Sequence, residues 1–495
     1  MAFSMRIDRL DPQALVQPHQ VHRSLYLDAR LFALEMQLVW ARSWLFVGHA
    51  SQVPQPGDFI TTQLGAQPVL MLRQADGGIH VLHNRCAHKG SLLTAAPSGN
   101  TGRMLRCPYH GWSYQLDGRL LATPLREGYA GTGFEHSAAA KGLTRYGEVA
   151  EHRGFVFARG AVPASDVGGV DGAAPAGRGA ADSGPSFTDW AGEQLAAIDL
   201  LADRSPQGEL RVAGGVLRTI VHANWKIYLE NINDAVHPVS THQSATDAAR
   251  SVWAEASCRQ PPNPPMQAPA VAAGARADVD VDGPAATPPL ALQQLLPFGS
   301  GYDFFQHMGG RVLPHGHSVL GTQHSIHSGY AALPGYVDQL RAAHGAQRAQ
   351  QVMSFTPQNV VLYPSLALKG APQVMRVLRP LAVDRTLVEA WAFEAVGAPP
   401  ELLQSALTYN RIAFSPAAIV AADDLHLFEC IQRGLAAQGN PWVNLQREAP
   451  LTSADADADA DAAGAERLPR DVSGIDEALL RNQYRAWAKF MGSGL

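Results

Sequence analysis

Two short Cys-His pairs, separated by 18 residues, constrain the fold of this chain more than any other feature. The first pair is Cys86 and His88 and the second is Cys107 and His110, which together give the pattern C-x-H-x18-C-x2-H. An Asp-Gly turn between two short apolar runs precedes the first pair, and another Asp-Gly turn follows the second. The pattern therefore predicts an antiparallel, all-β unit that carries the two pairs on neighbouring loops.

Two thiolates and two imidazoles on such loops can hold a small metal centre between them. In a Rieske 2Fe-2S centre one iron takes two thiolates and the other takes two imidazoles. Cys86 with Cys107, and His88 with His110, fit these two roles. A zinc site is the alternative, but zinc sites usually pair Cys with Cys and His with His along the sequence. Because each motif here mixes one Cys and one His, the sequence favours the cluster.

A second group of possible metal ligands lies in the segment NWKIYLENINDAVHPVSTH. On a helix, Glu230, Asp234 and His237 share one face, because they stand at i, i+4 and i+7. Pro238 disrupts the regular helix, so His242 can direct a second imidazole at the same ion. Two imidazoles and a carboxylate, with open positions left, are typical of non-haem ferrous oxygenases. A polar helix with a capping histidine is the alternative.

The two motifs resemble those of the large (α) subunits of Rieske non-haem iron ring-hydroxylating oxygenases. The resemblance covers most of the chain and includes the pattern E-x3-D-x2-H-x4-H from Glu230 to His242. It implies that His237 and His242 bind a mononuclear Fe²⁺. It also implies that a Rieske 2Fe-2S cluster is held by four residues: Cys86, His88, Cys107 and His110.

The resemblance implies catalytic roles for two residues beside the iron. In the family, the residue at the place of Asp234 hydrogen-bonds an iron-ligand histidine and a cluster-ligand histidine of the neighbouring subunit. Carried over, Asp234 bridges His237 and His110 of the next chain. An alternative is that Asp234 only orients His237. Asn231 matches the family asparagine that faces the iron.

The third iron ligand is expected in the segment SPAAIVAADDLHLFECIQRGL, which resembles the distal helix that carries the family's ligand aspartate. Asp423 and Asp424 are the two candidates. On a helix, Asp424 has apolar neighbours at three and four residues, whereas Asp423 has His426 on its own side. A carboxylate on an apolar face needs a partner such as a metal. Asp424 is therefore favoured, and Asp423 stays the alternative.

The chain is predicted to be an α+β protein of two domains. Residues 40–160 form an N-terminal all-β Rieske domain, and residues 1–39 with 186–495 form the catalytic domain. Helical and strand-like patterns in the second domain do not alternate regularly, which predicts an antiparallel sheet flanked by helices. Segments rich in Gly, Ala, Pro and Asp, without an apolar period, predict three flexible insertions: residues 160–185, 260–289 and 453–464.

Composition excludes several other classes of protein. Only 4 of the 495 residues are Cys, which excludes a disulfide framework. A net charge of -5 and a pI near 6.4 give no electrostatic basis for binding nucleic acid. The charged N-terminus is unlike a secretory signal, and no stretch approaches the roughly 18 apolar residues of a membrane helix. A cytoplasmic protein without membrane contact is predicted.

The resemblance implies a terminal oxygenase that depends on partners for its electrons. Electrons from NAD(P)H would arrive through a separate reductase, because the sequence contains neither a G-x-G-x-x-G fingerprint nor a flavin-binding pattern. They would pass from the cluster to the iron, where O₂ is activated beside a small aromatic substrate. The resemblance also implies a homotrimer of α subunits. It leaves open whether a ferredoxin or a small β subunit takes part.

The distal segment, from Asp423 to the C-terminal RNQYRAWAKF, most resembles oxygenases of aromatic carboxylates. The expected reaction is therefore cis-dihydroxylation of an acid such as benzoate, anthranilate, salicylate or terephthalate. Within the family, a monooxygenase or demethylase of a quaternary ammonium compound is the alternative, and its pocket would need an aromatic cage. A Rieske electron-transfer protein is the alternative from another class, although an electron carrier needs no open iron site.

Overall fold

The computed structural model describes residues 12–160, 184–259, 288–329, 333–449 and 468–492. The three predicted insertions lie outside the described residues, apart from a few positions at their edges.

The chain divides into two compact units. The small unit consists mainly of residues 30–195, and the large unit of residues 1–29, 196–209 and 213–492. The domain limits expected from the sequence stay a prediction. Among the described residues, no helix is long and apolar enough to cross a membrane.

The described strands are, in chain order, β1 (Val16–Gln17), β2 (Gln20–His22), β3 (Leu45–His49), β4 (Asp58–Leu64), β5 (Gln67–Arg73), β6 (Ile79–His83), β7 (Ser98–Asn100), β8 (Met104–Arg106), β9 (Ser113–Gln115), β10 (Leu120–Ala122), β11 (Glu148–His152), β12 (Phe155–Arg159), β13 (Leu210–Val221), β14 (Gly310–Val312), β15 (Ser318–Leu320), β16 (Asn359–Leu362), β17 (Leu366–Lys369), β18 (Val374–Ala382), β19 (Arg385–Ala395), β20 (Trp442–Asn444) and β21 (Arg470–Val472).

The described α-helices are, in chain order, α1 (Pro12–Leu15), α2 (Ser24–Leu27), α3 (Ala29–Glu35), α4 (Phe187–Ala191), α5 (Gln194–Ala202), α6 (Trp225–Asn233), α7 (His237–Thr241), α8 (Gln243–Arg259), α9 (Leu290–Leu295), α10 (Tyr302–Gln306), α11 (Tyr336–His344), α12 (Ala346–Ser354), α13 (Pro400–Phe414), α14 (Ile419–Leu435) and α15 (Ala478–Gly492).

The small unit is built from short antiparallel strands, as the sequence predicts. Its sheets follow the strand orders β6-β5-β4-β7, β10-β9-β8 and β11-β12-β3. The hairpin expected around the first Asp-Gly turn is confirmed, because β5 and β6 pair antiparallel and Gly77 adopts φ +89° between them. The buried aromatic and aliphatic side chains of these strands enclose Cys86 and Cys107 in one apolar core.

The large unit contains a sheet with the strand order β13-β19-β18-β17-β16-β15-β14-β21. In this sheet, every pair of neighbouring strands from β19 to β21 in the order just given is antiparallel. Helix α6 packs against β15, β16 and β18, while α14 packs against α6 and α13. The predicted α+β class, with helices flanking an antiparallel sheet, is therefore confirmed.

Helix α6 ends at Asn233 because Asp234 leaves the helical conformation, with φ -104° and ψ 127°. The Asp234 carboxylate accepts hydrogen bonds from the backbone N–H groups of Val236 (2.8 Å) and His237 (3.2 Å). These bonds satisfy amides at the start of the next turn, as short polar side chains do at helix N-termini. Helix α7 then begins at His237, with Pro238 in its first turn, where a missing N–H costs little.

This break corrects the prediction that Glu230, Asp234 and His237 share one face of a continuous helix. The Asp234 side chain competes with the helix for backbone amides, so the chain turns between α6 and α7. His237 therefore lies on α7, and His242 caps the end of that helix.

Candidate functional site

The two Cys-His motifs of the small unit form loops with the same backbone geometry. In each loop the cysteine N–H donates to the carbonyl five residues later, over 2.8 Å for both Cys86 and Cys107. Gly90 and Gly111 donate back to the cysteine carbonyls, over 3.0 and 3.1 Å. Both glycines have positive φ, +74° and +71°, a conformation that other residues rarely adopt. The two loops therefore share one tight backbone geometry, although the histidine follows Cys86 by two residues and Cys107 by three.

The four side chains expected to hold the cluster are arranged in two layers. Cys86 and Cys107 are each 2% exposed, whereas His88 and His110 are half-buried. The two imidazole rings have centroids 4.6 Å apart. Nδ1 of His88 is buried and has no hydrogen-bond partner among the described residues. Two inner thiols, two outer imidazoles and this unpaired nitrogen fit a Rieske 2Fe-2S cluster.

Aromatic side chains hold the cluster motif in place. The Trp112 ring stacks on His88, with centroids 4.8 Å apart and an interplanar angle of 6°. The Tyr114 hydroxyl lies 3.0 Å from Sγ of Cys86. Burial, together with the Cys86 contact, raises the pKa of Tyr114, so the hydroxyl keeps its proton as a hydrogen-bond donor. Such contacts orient ligands and tune a bound metal.

In the large unit, His237, His242 and Asp424 converge on one point. Each offers one ligand atom, and the three atoms lie within 4.8 Å of one another. Oδ1 of Asp424 is 3.8 Å from Nε2 of His237 and 3.5 Å from Nε2 of His242. Burial lowers the pKa of His242, which favours the neutral imidazole that a metal requires. This donor set fits a ferrous ion with open positions.

Asp423 lies beside the same histidine, on the opposite side of its ring. Its Oδ2 is 3.3 Å from Nδ1 of His242. Asp424 therefore reaches one nitrogen of His242 and Asp423 the other. The two candidate carboxylates for the third ligand therefore occupy different places. Asp424 belongs to the converging group, and Asp423 lies on the other side of His242.

Asn231 and Asp234 border this group. The Asn231 amide nitrogen lies 3.0 Å from Nε2 of His237 and 3.3 Å from Oδ1 of Asp424. Oδ2 of Asp234 is 3.5 Å from Nδ1 of His237, and its Oδ1 is 3.2 Å from the Arg447 guanidinium. Burial raises the pKa of Asp234, but His237 and Arg447 outweigh it and hold the pKa below its ordinary value.

The converging group opens into a cavity with largely apolar walls. Its lining includes six aromatic side chains: Tyr228, Phe298, Phe305, Tyr409, Phe414 and Phe428. Asn231, His237, His242 and Asp424 line the same cavity. A concave apolar pocket with a few polar groups is the usual form of a small-molecule site.

Two further cavity residues, Lys369 and Arg376, escaped sequence reasoning. Lys369 ends β17 and Arg376 lies within β18, and the two side chains are 3% and 5% exposed. In the sequence, each interrupts an apolar run, LALK and VMRVL. A charged residue within an otherwise apolar strand could have indicated a buried functional side chain, because such strands are usually buried on both faces.

Comparison with known proteins agrees with this geometry. Residues 43–132 match the Rieske [2Fe-2S] domain, and residues 195–493 match the catalytic domain of the ring hydroxylating alpha subunit. Among curated proteins, the anthranilate 1,2-dioxygenase large subunit of Acinetobacter baylyi is 26% identical over 481 residues, which cover 96% of this chain and 90% of that protein. The 2-halobenzoate 1,2-dioxygenase large subunit of Burkholderia cepacia is 26% identical and covers 96% and 89%.

Among solved structures, naphthalene 1,2-dioxygenase with indole bound in its active site superimposes with a TM-score of 0.67. The sequences are 22% identical, and the match covers 98% of this chain and 95% of the other. This likeness shows that the fold is shared. The two matched domains and the converging group of His237, His242 and Asp424 show that the chain belongs to the α subunits of Rieske-type ring-hydroxylating oxygenases, whose cofactors are a Rieske 2Fe-2S cluster and a mononuclear iron.

Proposed function

We propose that this α subunit is the terminal oxygenase for an aromatic carboxylate, which it converts to a cis-dihydrodiol. The observation that carries the proposal is the convergence of His237, His242 and Asp424 inside a cavity with aromatic walls. The anthranilate and 2-halobenzoate dioxygenases among its relatives support an aromatic acid as substrate. Electrons come from NAD(P)H through a partner reductase.

Each cofactor has a proposed set of ligands. Cys86, Cys107, His88 and His110 hold the cluster, and the three converging side chains hold the iron. When bound, the cluster supplies single electrons and the iron supplies the centre at which O₂ is reduced beside the substrate.

The protein's contribution at the iron site is geometry. Asp423 holds Nδ1 of His242, so that Nε2 faces Asp424. Asp234 lies beside Nδ1 of His237 and thereby favours Nε2 as the ligand atom. The Asn231 amide faces the ligand atoms of His237 and Asp424. These contacts fix the ligand atoms before substrate enters.

The aromatic walls bind the substrate ring and exclude water. Phe298, Phe305 and Phe428 are nearly inaccessible to solvent. Water exclusion limits side reactions and strengthens polar contacts inside the cavity. The same walls would also suit the quaternary ammonium alternative, whereas the converging ligand set argues against a pure electron carrier.

We also propose that the α subunits form a trimer, in which Asp234 contacts His110 of the next chain. This arrangement follows the family resemblance. The cytoplasmic location stays a prediction.

The experiment that tests the function is an oxygen-uptake screen with product analysis, run on the iron-loaded protein with a reductase and NADH. Benzoate, anthranilate, salicylate and terephthalate are compared with carnitine and other quaternary amines. We expect uptake and cis-diol formation with at least one aromatic acid. The Asp424→Ala variant is expected to lose both, because it loses the mononuclear iron while the Rieske absorbance remains.

Glu429→Ala is the matched control, because Glu429 is an exposed carboxylate on the same helix, α14. This variant should keep iron and activity. Uptake with the quaternary amines alone would reject the substrate class. Full iron content in the Asp424→Ala protein would reject the ligand assignment.

A further inference from the structure

The cavity wall carries two buried basic side chains, Lys369 and Arg376, on one face of the central sheet. Ala367 of β17 pairs with Arg376 of β18, and Lys369 lies two residues beyond Ala367 on the same face. Ala390, the partner of Arg376 on β19, also lines the cavity. The sheet therefore presents both basic side chains to the space that contains the proposed iron ligands.

Among the residues that the structure describes, no aspartate or glutamate forms an ion pair with Lys369 or Arg376. The two carboxylates of the cavity wall, Asp234 and Asp424, lie instead against His237 and His242. Lys369 donates to the Gln358 carbonyl (2.6 Å) and Arg376 donates to Oδ1 of Asn359 (2.6 Å). Both of these acceptors are neutral. A buried guanidinium without a counter-charge is costly, so the arrangement around Arg376 indicates an anionic ligand.

The groups around Lys369 do not supply the missing charge. Its Nζ lies 3.4 Å from Nε2 of His327, a fully buried imidazole. Burial lowers the pKa of His327, so the ring is neutral and adds no charge. Burial and the neighbouring Arg376 also lower the pKa of Lys369. An anion bound beside both side chains would favour the charged form of Lys369.

Arg376 is held in a fixed position. Its guanidinium carbon lies 4.8 Å from the centroid of Phe414 and 5.8 Å from that of Tyr228. Asn359, which accepts from Arg376, donates in turn to the carbonyl of Ile232 at the end of α6 (2.6 Å). A guanidinium fixed in this way can bind a carboxylate through two parallel hydrogen bonds at little entropic cost.

We propose that Arg376 and Lys369 form a carboxylate subsite in the cavity wall, with Arg376 as the main anchor of an aromatic acid. The inference rests on the proposed function and deepens it, because it assigns the residues that recognise the acid group. The ring then lies among the aromatic walls, between the subsite and the iron ligands. A quaternary ammonium group would instead face the charged Arg376 guanidinium.

The test measures equilibrium binding of benzoate and of benzamide, its uncharged analogue, to the metal-loaded full-length protein by calorimetry. For Arg376→Gln we expect benzoate affinity to fall by about tenfold to a hundredfold, since a buried charge loses its partner. Benzamide affinity should change by less than about threefold, because its amide makes no ion pair. Lys369→Gln should produce a smaller loss for benzoate alone.

Two further variants make the result decisive. Arg385→Gln removes the same charge from the exposed start of β19 and should leave both affinities unchanged. Arg376→Lys keeps a cation and should recover part of the benzoate affinity. The subsite is rejected if benzoate binding is unchanged in Arg376→Gln, or if Arg376→Gln and Arg376→Lys weaken benzoate and benzamide equally.

Because binding is measured without turnover, the two proposals can fail separately. Charge-dependent benzoate binding without diol formation would keep the subsite and reject the reaction. Diol formation with unchanged affinity in the variants would keep the reaction and reject the subsite.

Discussion

Asp423 and Asp424 are consecutive residues of α14, yet they face different atoms of the same histidine. Oδ1 of Asp424 lies near Nε2 of His242, and Oδ2 of Asp423 lies near Nδ1. A carboxylate on the outer nitrogen of a ligand histidine fixes its tautomer and raises its basicity. The two neighbouring carboxylates can thus have separate tasks, one as ligand and one as the group that positions a ligand.

Asp423→Asn is therefore expected to weaken iron binding without abolishing it. Loss of such a contact typically lowers metal affinity by about tenfold to a hundredfold. Iron retention during dialysis against a chelator measures the effect, and the Rieske absorbance should not change. Glu429→Gln, on the exposed side of the same helix, is the control. If Asp423→Asn retains iron as well as the unmodified protein does, His242 is not held through Asp423.

At the scale of elements, a buried polar cluster joins α6 to α2 and α15. The hydroxyls of Tyr26 and Tyr484 both donate to the Glu230 carboxylate, and the two hydroxyls lie 2.6 Å apart. Burial raises the pKa of Glu230 to about 7, despite these hydrogen bonds. The helix that carries Asn231 is thus anchored by an acid that titrates near neutral pH.

The raised pKa predicts how stability depends on pH. The unfolded chain loses the Glu230 proton near the ordinary value of 4.5, but the folded chain keeps it until about 7. The contribution of Glu230 to the free energy of unfolding is therefore complete below pH 4.5. It falls as the pH rises above 4.5 and is lost as the pH passes through about 7. Glu230→Gln removes the titration. Between about pH 5.5 and about pH 8, the unmodified protein should lose about 2 kcal/mol of unfolding free energy relative to Glu230→Gln.

Denaturant unfolding of both proteins at the two pH values measures this difference. Tyr26→Phe is the matched control, because it removes a hydroxyl of the cluster but keeps the carboxylate. Its curve should keep the fall in stability with rising pH. Parallel pH dependence for Glu230→Gln and the unmodified protein would contradict the prediction.

At the scale of the whole molecule, the two proposed metal sites belong to different units of the chain. The proposed cluster ligands lie in the small unit, while Asp234 and the proposed iron ligands lie in the large unit. Asp234 contacts His237 and also Arg447, which in turn contacts Glu477. In the proposed trimer, this carboxylate links the iron site to the cluster of the next subunit.

Asp234→Asn is expected to keep both metals but to slow product formation by at least about tenfold to a hundredfold. The amide retains an oxygen that can accept from the backbone N–H of Val236, so the turn before α7 should survive. Single-turnover oxidation of the reduced cluster, followed by its absorbance, measures the transfer step directly. Normal cluster oxidation in this variant would remove the bridging role, and sedimentation of the unmodified protein tests the trimer independently.

Features formed by residues close in the chain could be predicted from the order of amino acids alone. The Rieske domain could be predicted because Cys86, His88, Cys107 and His110 stand in two short motifs whose residues are close in the chain. The separation of strands and helices along the chain could also be predicted, because the period of apolar residues indicates which face of each element is buried.

Contacts between residues far apart in the chain depend instead on how the elements pack. The break between α6 and α7 depends on where the Asp234 carboxylate finds its amides. The separate places of Asp423 and Asp424 depend on a contact with His242 across 181 residues. In the sequence, Lys369 and Arg376 are single basic residues in separate apolar runs. The pairing of β17 with β18 places them on one face of the sheet. Strand register and helix packing determine these contacts, and neither can be predicted from the spacing of residues within a motif.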